Sequence, residues 1–393
     1  MLALLRYSLG EMPRLHGFMR CIHDVTGDDE CFSKKVFPYS EGEGLKMQFL
    51  NTLWTILIAI LIFGALILIH ELGHYLTARL FHVRILEFSV GMGPKAVSRV
   101  SKKTGIRYSL RWLPVGGFVS MEGEDEESAD ENALSRKPAW QRMIITAAGS
   151  LMNLLLGVIL TAVMVGSASS LGTTTVFRFA DGAVTEQSGL QIGDTICKIG
   201  KTNVHVAYDL RYTVMRCGAE KTDVTVLRDG KRLVVQDVSF PVEVSDGIAY
   251  GMVDFSVVGE GKNFGTMIKH VYYESVTSIR MIWDSLVDLI RGRVGVEQVS
   301  GPVGVTQAIG EAAKEGSYNL LFLTALIALN LGIFNLLPFP ALDGGRIVFQ
   351  LIELVRGKPI NPKYEGYIHF AGLVLLMLLM VLITFKDVWG LFS

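Results

Sequence analysis

The sequence predicts a polytopic α-helical membrane protein with four transmembrane helices, a membrane-associated β-hairpin region and one extracytoplasmic mixed α/β domain. Half of the 393 residues are apolar and only 19% are charged, whereas globular proteins average about 25% charged residues. Four uncharged stretches are long enough to span a hydrocarbon core, which needs about 20 helical residues. Between the second and third stretches lies a long region of alternating strand and helix patterns. Together these three observations favour this fold class.

The predicted spans are Thr52–Ile69, Met143–Gly166, Asn319–Pro340 and Ile368–Phe385. No small-residue cleavage site follows the first span, which argues against a secretory signal. Lys and Arg cluster in residues 81–140 and 341–367, and cytoplasmic segments of membrane proteins carry such an excess. We therefore expect these two segments in the cytoplasm, and residues 167–317 and both termini outside.

Five segments divide the chain. They are an N-terminal extension (1–46), the first two spans with a β region between them (47–166), the external α/β domain (167–260), an amphipathic helix and connector (261–317) and the last two spans (318–393). The extension mixes Cys, His and both charge signs without a period, whereas an apolar pattern begins at Met47. We hypothesise that Met47 is the native start, which mass spectrometry of the N-terminus tests.

The external region shows short strand patterns, among them 175–179 and 224–235. Asp229-Gly230 within the second of these favours a hairpin turn. A helix is predicted at 207–217. Residues 265–292 carry apolar residues at helical spacing with charges between them, which predicts an amphipathic helix. Such a helix lies either on the membrane or against the domain, and the sequence alone leaves both open.

The motif His70-Glu71-Leu72-Gly73-His74 ends the first span. On a helix, residues four apart lie one turn above each other, so both imidazoles face one point. Two such histidines suit Zn²⁺, and the Glu between them can take a proton from water. Ionisable groups in an apolar membrane helix cost at least ~2.5 kcal/mol each. The motif therefore predicts a catalytic zinc site rather than histidines at a helix end.

A catalytic zinc site needs a third protein ligand. Asp343 is the candidate, since it lies at the predicted cytoplasmic end of the third span. Pro338 and Pro340 just before it cannot continue a helix with all its hydrogen bonds. Irregular backbone at membrane depth is tolerated only inside protein or beside a water-filled cavity. A hydrolytic site needs such water, so we expect Asp343 at the depth of the two histidines.

These motifs together resemble the site-2 protease family of intramembrane zinc metalloproteases, and are most similar to the bacterial regulator-of-sigma-E type, which carries external PDZ domains. The resemblance rests on HELGH in a membrane helix and on NLLPFPALDGG at 335–345, and it runs from about Met47 to the C-terminus. It includes FSVGMGP (88–94), LPVGGFV (113–119) and SGPVG (300–304). The segment SGLQIGD (188–194) resembles the core of a single bacterial PDZ domain.

The resemblance implies zinc held by His70, His74 and Asp343, with Glu71 as general base and acid. It also implies further residues that support substrate or water binding, namely Asn330, Asn335, Pro338, Pro340, Gly116 and Gly117. Ser150 stands where the family often has proline. We expect a local change of helix shape there and retained activity.

By the resemblance, the substrate is a transmembrane segment of another protein, such as an anti-sigma factor already trimmed outside or a signal-peptide remnant. The enzyme is then expected in the bacterial cytoplasmic membrane, with its active site near the cytoplasmic side. The external PDZ-like domain is expected to filter substrates by size and to contact substrate or partner peptides. The net charge of −1 argues against nucleic acid as a partner.

Residues 84–121 alternate as strands do, and an exposed strand edge can hold a substrate extended through main-chain hydrogen bonds. A cytoplasmic hairpin without a substrate role is the alternative. Two other classes of function also stay open: a catalytically inactive PDZ scaffold in the membrane, and a membrane metal transporter. The combination of His70, Glu71, His74 and Asp343 favours the protease over both.

Overall fold

The computed structural model describes residues 41–124, 128–245, 247–295, 298–358 and 360–390. The predicted N-terminal extension falls largely on residues 1–40, which lie outside the described residues, and the Met47 start stays a prediction. The described residues form two compact units. The first comprises residues 41–157 and 299–390, and the second comprises residues 158–298.

The helices, in chain order, are α1 (Glu41–Leu80), α2 (Ala139–Ser167), α3 (Val184–Gln187), α4 (Ala207–Cys217), α5 (Phe264–Ile290), α6 (Pro302–Glu315), α7 (Ser317–Leu336), α8 (Asp343–Arg356) and α9 (Pro362–Trp389). The strands are β1 (Ile85–Val100), β2 (Arg107–Met121), β3 (Leu171–Phe179), β4 (Thr195–Ile199), β5 (Thr202–Asn203), β6 (Thr222–Arg228), β7 (Lys231–Val238), β8 (Val242–Ser245), β9 (Ile248–Gly251) and β10 (Phe255–Glu260).

Four of the described helices are long and apolar enough to cross a membrane. The apolar segments are Leu50–Leu80, Ala139–Ser167, Ser317–Leu336 and Lys363–Trp389. The third ends earlier than the predicted Pro340, because a proline disfavours the helical conformation of the residue before it. Leu337, which precedes Pro338, is accordingly extended, with φ −63° and ψ 144°.

In the first unit, α6 packs against α1, α7 and α9. Asp387 of α9 reaches the first turn of α6, where its Oδ2 accepts hydrogen bonds from the N–H groups of Gly301 and Gly304 at 2.8 and 3.0 Å. A Cβ at these two positions would lie 2.9 and 3.3 Å from the same oxygen. The two glycines of the 300–304 segment are therefore the place where α9 attaches to α6.

β1 and β2 form an antiparallel sheet in which both strands bend back on themselves. Glu87 pairs with both Arg107 and Ser120, so the first half of β1 lies between the two halves of β2. Gly91 and Gly116 stand at bends with φ of 86° and 89°, a region that residues with a Cβ rarely adopt. Among the described residues, 117–121 form one edge of this sheet. Both strands lie within residues 84–121, where the sequence pattern predicts strands.

The second unit is built on a sheet with the strand order β10-β3-β4-β6-β7, to which β5 adds by pairing with β4. β8 and β9 form a separate pair. Leu210 and Val214 of α4 join the buried apolar core of the sheet. Asp229-Gly230 joins β6 to β7 with φ of 49° and 76°, so the predicted hairpin turn is confirmed. The helix predicted at 207–217 is α4.

α5 is the predicted amphipathic helix, and it packs on α4 through polar side chains. The Tyr212 hydroxyl donates to Asp284 over 2.7 Å, and Arg216 pairs with Asp288. Its exposed apolar side chains follow helical spacing: Phe264, Ile268, Tyr272, Val276, Ile279 and Trp283. The sequence left open whether this helix lies on the membrane or against the domain. The structure shows that the polar face of α5 contacts the domain.

Candidate metal centre

Three side chains that can bind a metal meet in the first unit. His70 Nε2 lies 3.2 Å from His74 Nε2 and 3.2 Å from Asp343 Oδ2, and the distance from His74 Nε2 to the same oxygen is 3.6 Å. Possible ligand atoms of all three residues lie within 4.8 Å of one another. The two histidines are one turn apart on α1, as the sequence spacing predicts, and Asp343 is the first residue of α8.

A tight turn brings Asp343 to the histidines. Gly344 and Gly345 pack directly on the chain that precedes them, so that a Cβ on either would lie less than 3 Å from a carbonyl oxygen, that of Leu337 or of Phe339. No larger residue fits either position without moving the backbone. The two glycines after Asp343 therefore allow the chain to fold back sharply from the end of α7 into α8.

The space around the two Nε2 atoms is kept open by α2. A Cβ on Gly149 would lie less than 3 Å from Nε2 of both His74 and His70. Glycine is thus the residue that leaves room beside the imidazoles where a metal ion would bind. Two imidazoles and one carboxylate are also the donor set of several catalytic zinc sites, which keep a further position for water. The residues present therefore fit zinc.

Hydrogen bonds on the far sides of the rings orient both histidines. His74 Nδ1 lies 2.8 Å from the carbonyl oxygen of Ile145, to which it can only donate, and this leaves the lone pair on Nε2. The side-chain amide of Asn153 lies 3.5 Å from His70 Nδ1 through Nδ2, while its buried Oδ1 has no hydrogen-bond partner. Turning the amide over places Oδ1 at the His70 Nδ1–H and satisfies both groups. Such partners fix the tautomer of metal-binding histidines.

Ser150 contacts Asp343 directly. Its side chain is fully buried on α2, and its hydroxyl donates a hydrogen bond to Asp343 Oδ2 over 3.2 Å. α2 runs as a helix from Ala139 to Ser167 through this position. Ser150 therefore adds a polar contact to the centre.

Glu71 lies beside this centre on a cavity of about 980 Å³, which is also lined by His70, His74 and Asp343. Phe118 and Val119 of the β2 edge line the same cavity. A Cβ on Gly117 would come 3.3 Å from Glu71 Cγ and 2.9 Å from the Ser89 carbonyl oxygen. The edge of the sheet thus passes immediately next to Glu71.

Polar contacts across the cavity hold α8 in place. Arg346 pairs with Glu124, Arg142 of α2 pairs with Glu353, and Gln350 Nε2 donates to Thr146 Oγ1 over 3.1 Å. Glu124 is therefore part of the cavity wall.

In the part of the chain that the structure describes, the other site residues predicted from the sequence do not line this cavity. Asn330 is buried on α7, and its Nδ2 has no hydrogen-bond partner. Asn335 is half-buried near the end of α7, Pro338 is exposed and Pro340 is half-buried in the following turn. Gly116 stands at the bend of β2 against Met92. The roles expected for these residues stay predictions.

Several residues of the centre were not found from the sequence. They are Gly149, Ile145 through its carbonyl group, Gln350 and His369, of which the last three line the cavity. Gly149 and Ile145 belong to the second predicted span, where only Ser150 was singled out from the sequence. Nothing local distinguishes them, because each acts on a side chain from another helix.

Comparison with known proteins places these features in a family. The chain matches the model of peptidase family M50 over residues 58–379. A relative from Clostridium acetobutylicum, whose name includes zinc metalloprotease, is 36% identical over 87% of this chain and 98% of its own length. A similarly named relative from Fusobacterium nucleatum is 35% identical over 86% of this chain and 100% of its own. The regulator of sigma-W protease RasP from Bacillus subtilis is 30% identical over 86% and 99%.

Proposed function

Because this chain belongs to peptidase family M50 and is a membrane zinc metalloprotease of the site-2 type, we propose that it hydrolyses peptide bonds in or near transmembrane segments of other proteins at the centre described above. The observation that carries the proposal is the convergence of two imidazoles and a carboxylate beside Glu71 at a cavity within a helical membrane unit. That arrangement contains every group that zinc-dependent peptide hydrolysis requires of a protein.

His70, His74 and Asp343 hold the zinc ion in this proposal. The Ile145 carbonyl and the Asn153 amide keep the Nδ1 protons of the two imidazoles on the far side of each ring. When bound, zinc would act as a Lewis acid that polarises the scissile carbonyl and lowers the pKa of coordinated water to about 7. The protein's part is to present three ligand atoms in fixed orientations and to leave space beside them.

Glu71 acts first as general base and then as general acid. It follows His70 on α1 and lines the same cavity as the three ligands. A carboxylate oxygen of Glu71 takes the proton of the attacking water as the C–O bond forms. The same oxygen then delivers this proton to the amine nitrogen as the peptide C–N bond breaks.

Residues 117–121 hold the substrate in an extended conformation. This segment is a sheet edge among the described residues, and it runs past Glu71. An edge strand offers main-chain donors and acceptors to an added strand. A transmembrane helix has to unwind before its peptide bonds reach a hydrolytic centre, and pairing with this edge stabilises the unwound segment.

The substrates are membrane proteins, and an anti-sigma factor is the substrate we propose in particular. Support comes from the Bacillus subtilis relative, which is named regulator of sigma-W protease. Signal-peptide remnants have the same chemistry, a single apolar helix without a large external domain, and fit the same site. Asn330, Asn335, Pro338, Pro340, Gly116 and Gly117 support substrate or water binding around this centre.

The chain crosses the bacterial cytoplasmic membrane four times, with the metal centre near the cytoplasmic side. The charge distribution supports this orientation, since Lys and Arg cluster in residues 81–140 and 341–367. The sheet domain of the second unit, with segment boundaries near 167 and 260, is then an extracytoplasmic PDZ-like domain. It excludes substrates whose bulky external part is still attached, and it contacts substrate or partner peptides.

Cleavage of a tagged, externally truncated transmembrane substrate tests the proposed reaction. Purified full-length protein in detergent is compared with Glu71→Gln, each with and without a zinc chelator. We expect cleavage only by the wild type without chelator. Cleavage that survives Glu71→Gln contradicts the role of Glu71, and cleavage that survives chelation contradicts zinc catalysis.

Deletion of residues 174–257 tests the size filter separately. The deletion variant is expected to cut both trimmed and untrimmed substrate, whereas the full chain cuts only the trimmed form. If untrimmed substrate stays uncut by a deletion variant that still cuts the trimmed form, the filter is wrong and the reaction stands.

A further inference from the structure

The turn that carries Asp343 has an unusual backbone conformation. Ala341, two residues before the ligand, has a φ of 73°, in the left-handed region that residues with a Cβ rarely adopt. Such a conformation persists only when surrounding contacts hold it. The position of the Asp343 carboxylate therefore depends on whatever fixes Ala341.

α9 holds this turn at two points on one of its faces. Nδ1 of His369 accepts a hydrogen bond from the Ala341 N–H over 2.9 Å. One turn further along, a Cβ on Gly372 would lie 2.7 Å from the Pro340 carbonyl oxygen, so the helix backbone touches the turn directly. Residues three apart on a helix lie side by side, and both contacts therefore act together on residues 340–341.

The ring of His369 is itself fixed in orientation. Because the Ala341 N–H is the donor, Nδ1 carries no proton and the ring proton resides on Nε2. Nε2 lies 3.8 Å from Glu365 Oε1, and the ring packs against Phe349 of α8 with centroids 5.5 Å apart. His369 thus presents Nδ1 to the turn as a hydrogen-bond acceptor.

We propose that His369 is a positioning residue for the metal centre: by accepting the Ala341 hydrogen bond, it fixes the turn that presents Asp343 Oδ2 to His70 and His74. The proposal rests on the proposed function, in which these three residues hold zinc. It assigns α9 a part in the centre, although α9 contributes no ligand. The contact acts on the metal through the position of Asp343, not through charge.

Two substitutions separate the acceptor of His369 from its volume. His369→Asn keeps an acceptor, because Oδ1 of asparagine lies at the same distance along the side chain as Nδ1. His369→Phe keeps a ring against Phe349 and removes the acceptor. A residue that only fills space would tolerate phenylalanine better than asparagine, and a residue that positions the turn would do the reverse.

The test measures zinc affinity of the purified full-length variants by competition with a chromogenic chelator, and the visible spectrum after Co²⁺ replacement. Loss of an outer contact to a metal ligand typically lowers affinity 10- to 100-fold. We expect His369→Phe to lose about 10-fold or more with an altered Co²⁺ spectrum, and His369→Asn to stay within about threefold of wild type. The control is His205→Phe, which removes a histidine of the second unit that is distant in sequence from the centre. Its zinc affinity should match that of the wild type.

Wild-type affinity in His369→Phe, or equal losses in His369→Asn and His369→Phe, would overturn the proposal. If His369→Phe does not fold, His369→Leu, which also lacks the acceptor, takes its place in the same comparison. His74→Ala is measured beside them. If His74→Ala retains zinc, both the ligand assignment and the positioning role are overturned. If His74→Ala loses zinc but His369→Phe binds zinc with normal affinity, only the positioning role is overturned.

Discussion

Ser150 donates a hydrogen bond to Asp343 Oδ2 over 3.2 Å, and so joins the second membrane helix to the proposed ligand from the C-terminal part of the chain. The side chain of Ser150 is fully buried, so no bulk water replaces this contact when it is lost. Ser150 is therefore a residue of the second apolar helix that touches the centre directly.

We predict that Ser150→Ala weakens zinc binding about 10-fold, because the Asp343 carboxylate loses the donor that orients it. Competition with a chelator measures the change. Ser285→Ala is the matched control, since Ser285 is also buried but donates only to the Met281 carbonyl of its own helix. Equal affinity in Ser150→Ala and wild type would show that the hydrogen bond does not matter for the metal.

Gly149→Ala is predicted to abolish zinc binding and activity. The added Cβ would lie less than 3 Å from Nε2 of His74 and of His70, and the helix backbone that carries it cannot move without disturbing α2. Metal analysis and cleavage of a model substrate both report the loss. Gly166→Ala on the same helix is the control, because its Cβ would meet only Met267 Cε at 3.6 Å. A Gly149→Ala variant with full zinc content would contradict the geometry of the centre.

The β1–β2 sheet is predicted to lose stability in acid through Glu87. Burial alone would raise the pKa of this carboxyl group, but hydrogen bonds from Ser109, Lys95 and Arg111 outweigh burial and lower the pKa from 4.5 to about 2. A lowered pKa in the folded state stabilises the protein above pH 4.5, and this contribution is lost as the pH falls towards 2.

The measurement is the thermal unfolding midpoint of wild type and Glu87→Gln in detergent as a function of pH. The wild type is expected to be more stable than the variant at neutral pH, and the difference is expected to shrink between pH 4.5 and 2. Glu311→Gln, at an exposed position on α6, controls for the change in net charge. A difference that does not vary with pH would contradict the assignment to Glu87.

Local patterns account for the parts of the fold that could be predicted. The spacing of His70 and His74 sets their geometry on a helix, and the Asp229-Gly230 pair sets the β6–β7 turn, since each depends only on neighbours in the chain. The end of α7 was placed too late because apolar composition continues through Pro340. The prolines stop the helix at Leu336, where backbone sterics outweigh hydropathy.

Tertiary contacts account for what could not be predicted. Glu124 lies in an acidic run typical of solvated loops, yet it pairs with Arg346 of α8 across the cavity. Gly149 and His369 matter because of side chains and backbone on other helices, and neither has a distinguishing neighbour in sequence. Such contacts depend on how α1, α2, α8 and α9 pack against one another. The spacing of apolar residues along the sequence does not predict this packing.

The assignment of the zinc ligands and of the base is tested by the zinc content of four purified full-length proteins: wild type, Glu71→Gln, His74→Ala and Asp343→Ala. We predict bound zinc in the wild type and in Glu71→Gln, with cleavage lost in the latter, because Glu71 transfers protons and does not hold the metal. We predict loss of zinc in His74→Ala and Asp343→Ala. Full zinc content in Asp343→Ala, or loss of zinc in Glu71→Gln, would contradict the assignment of ligands and base.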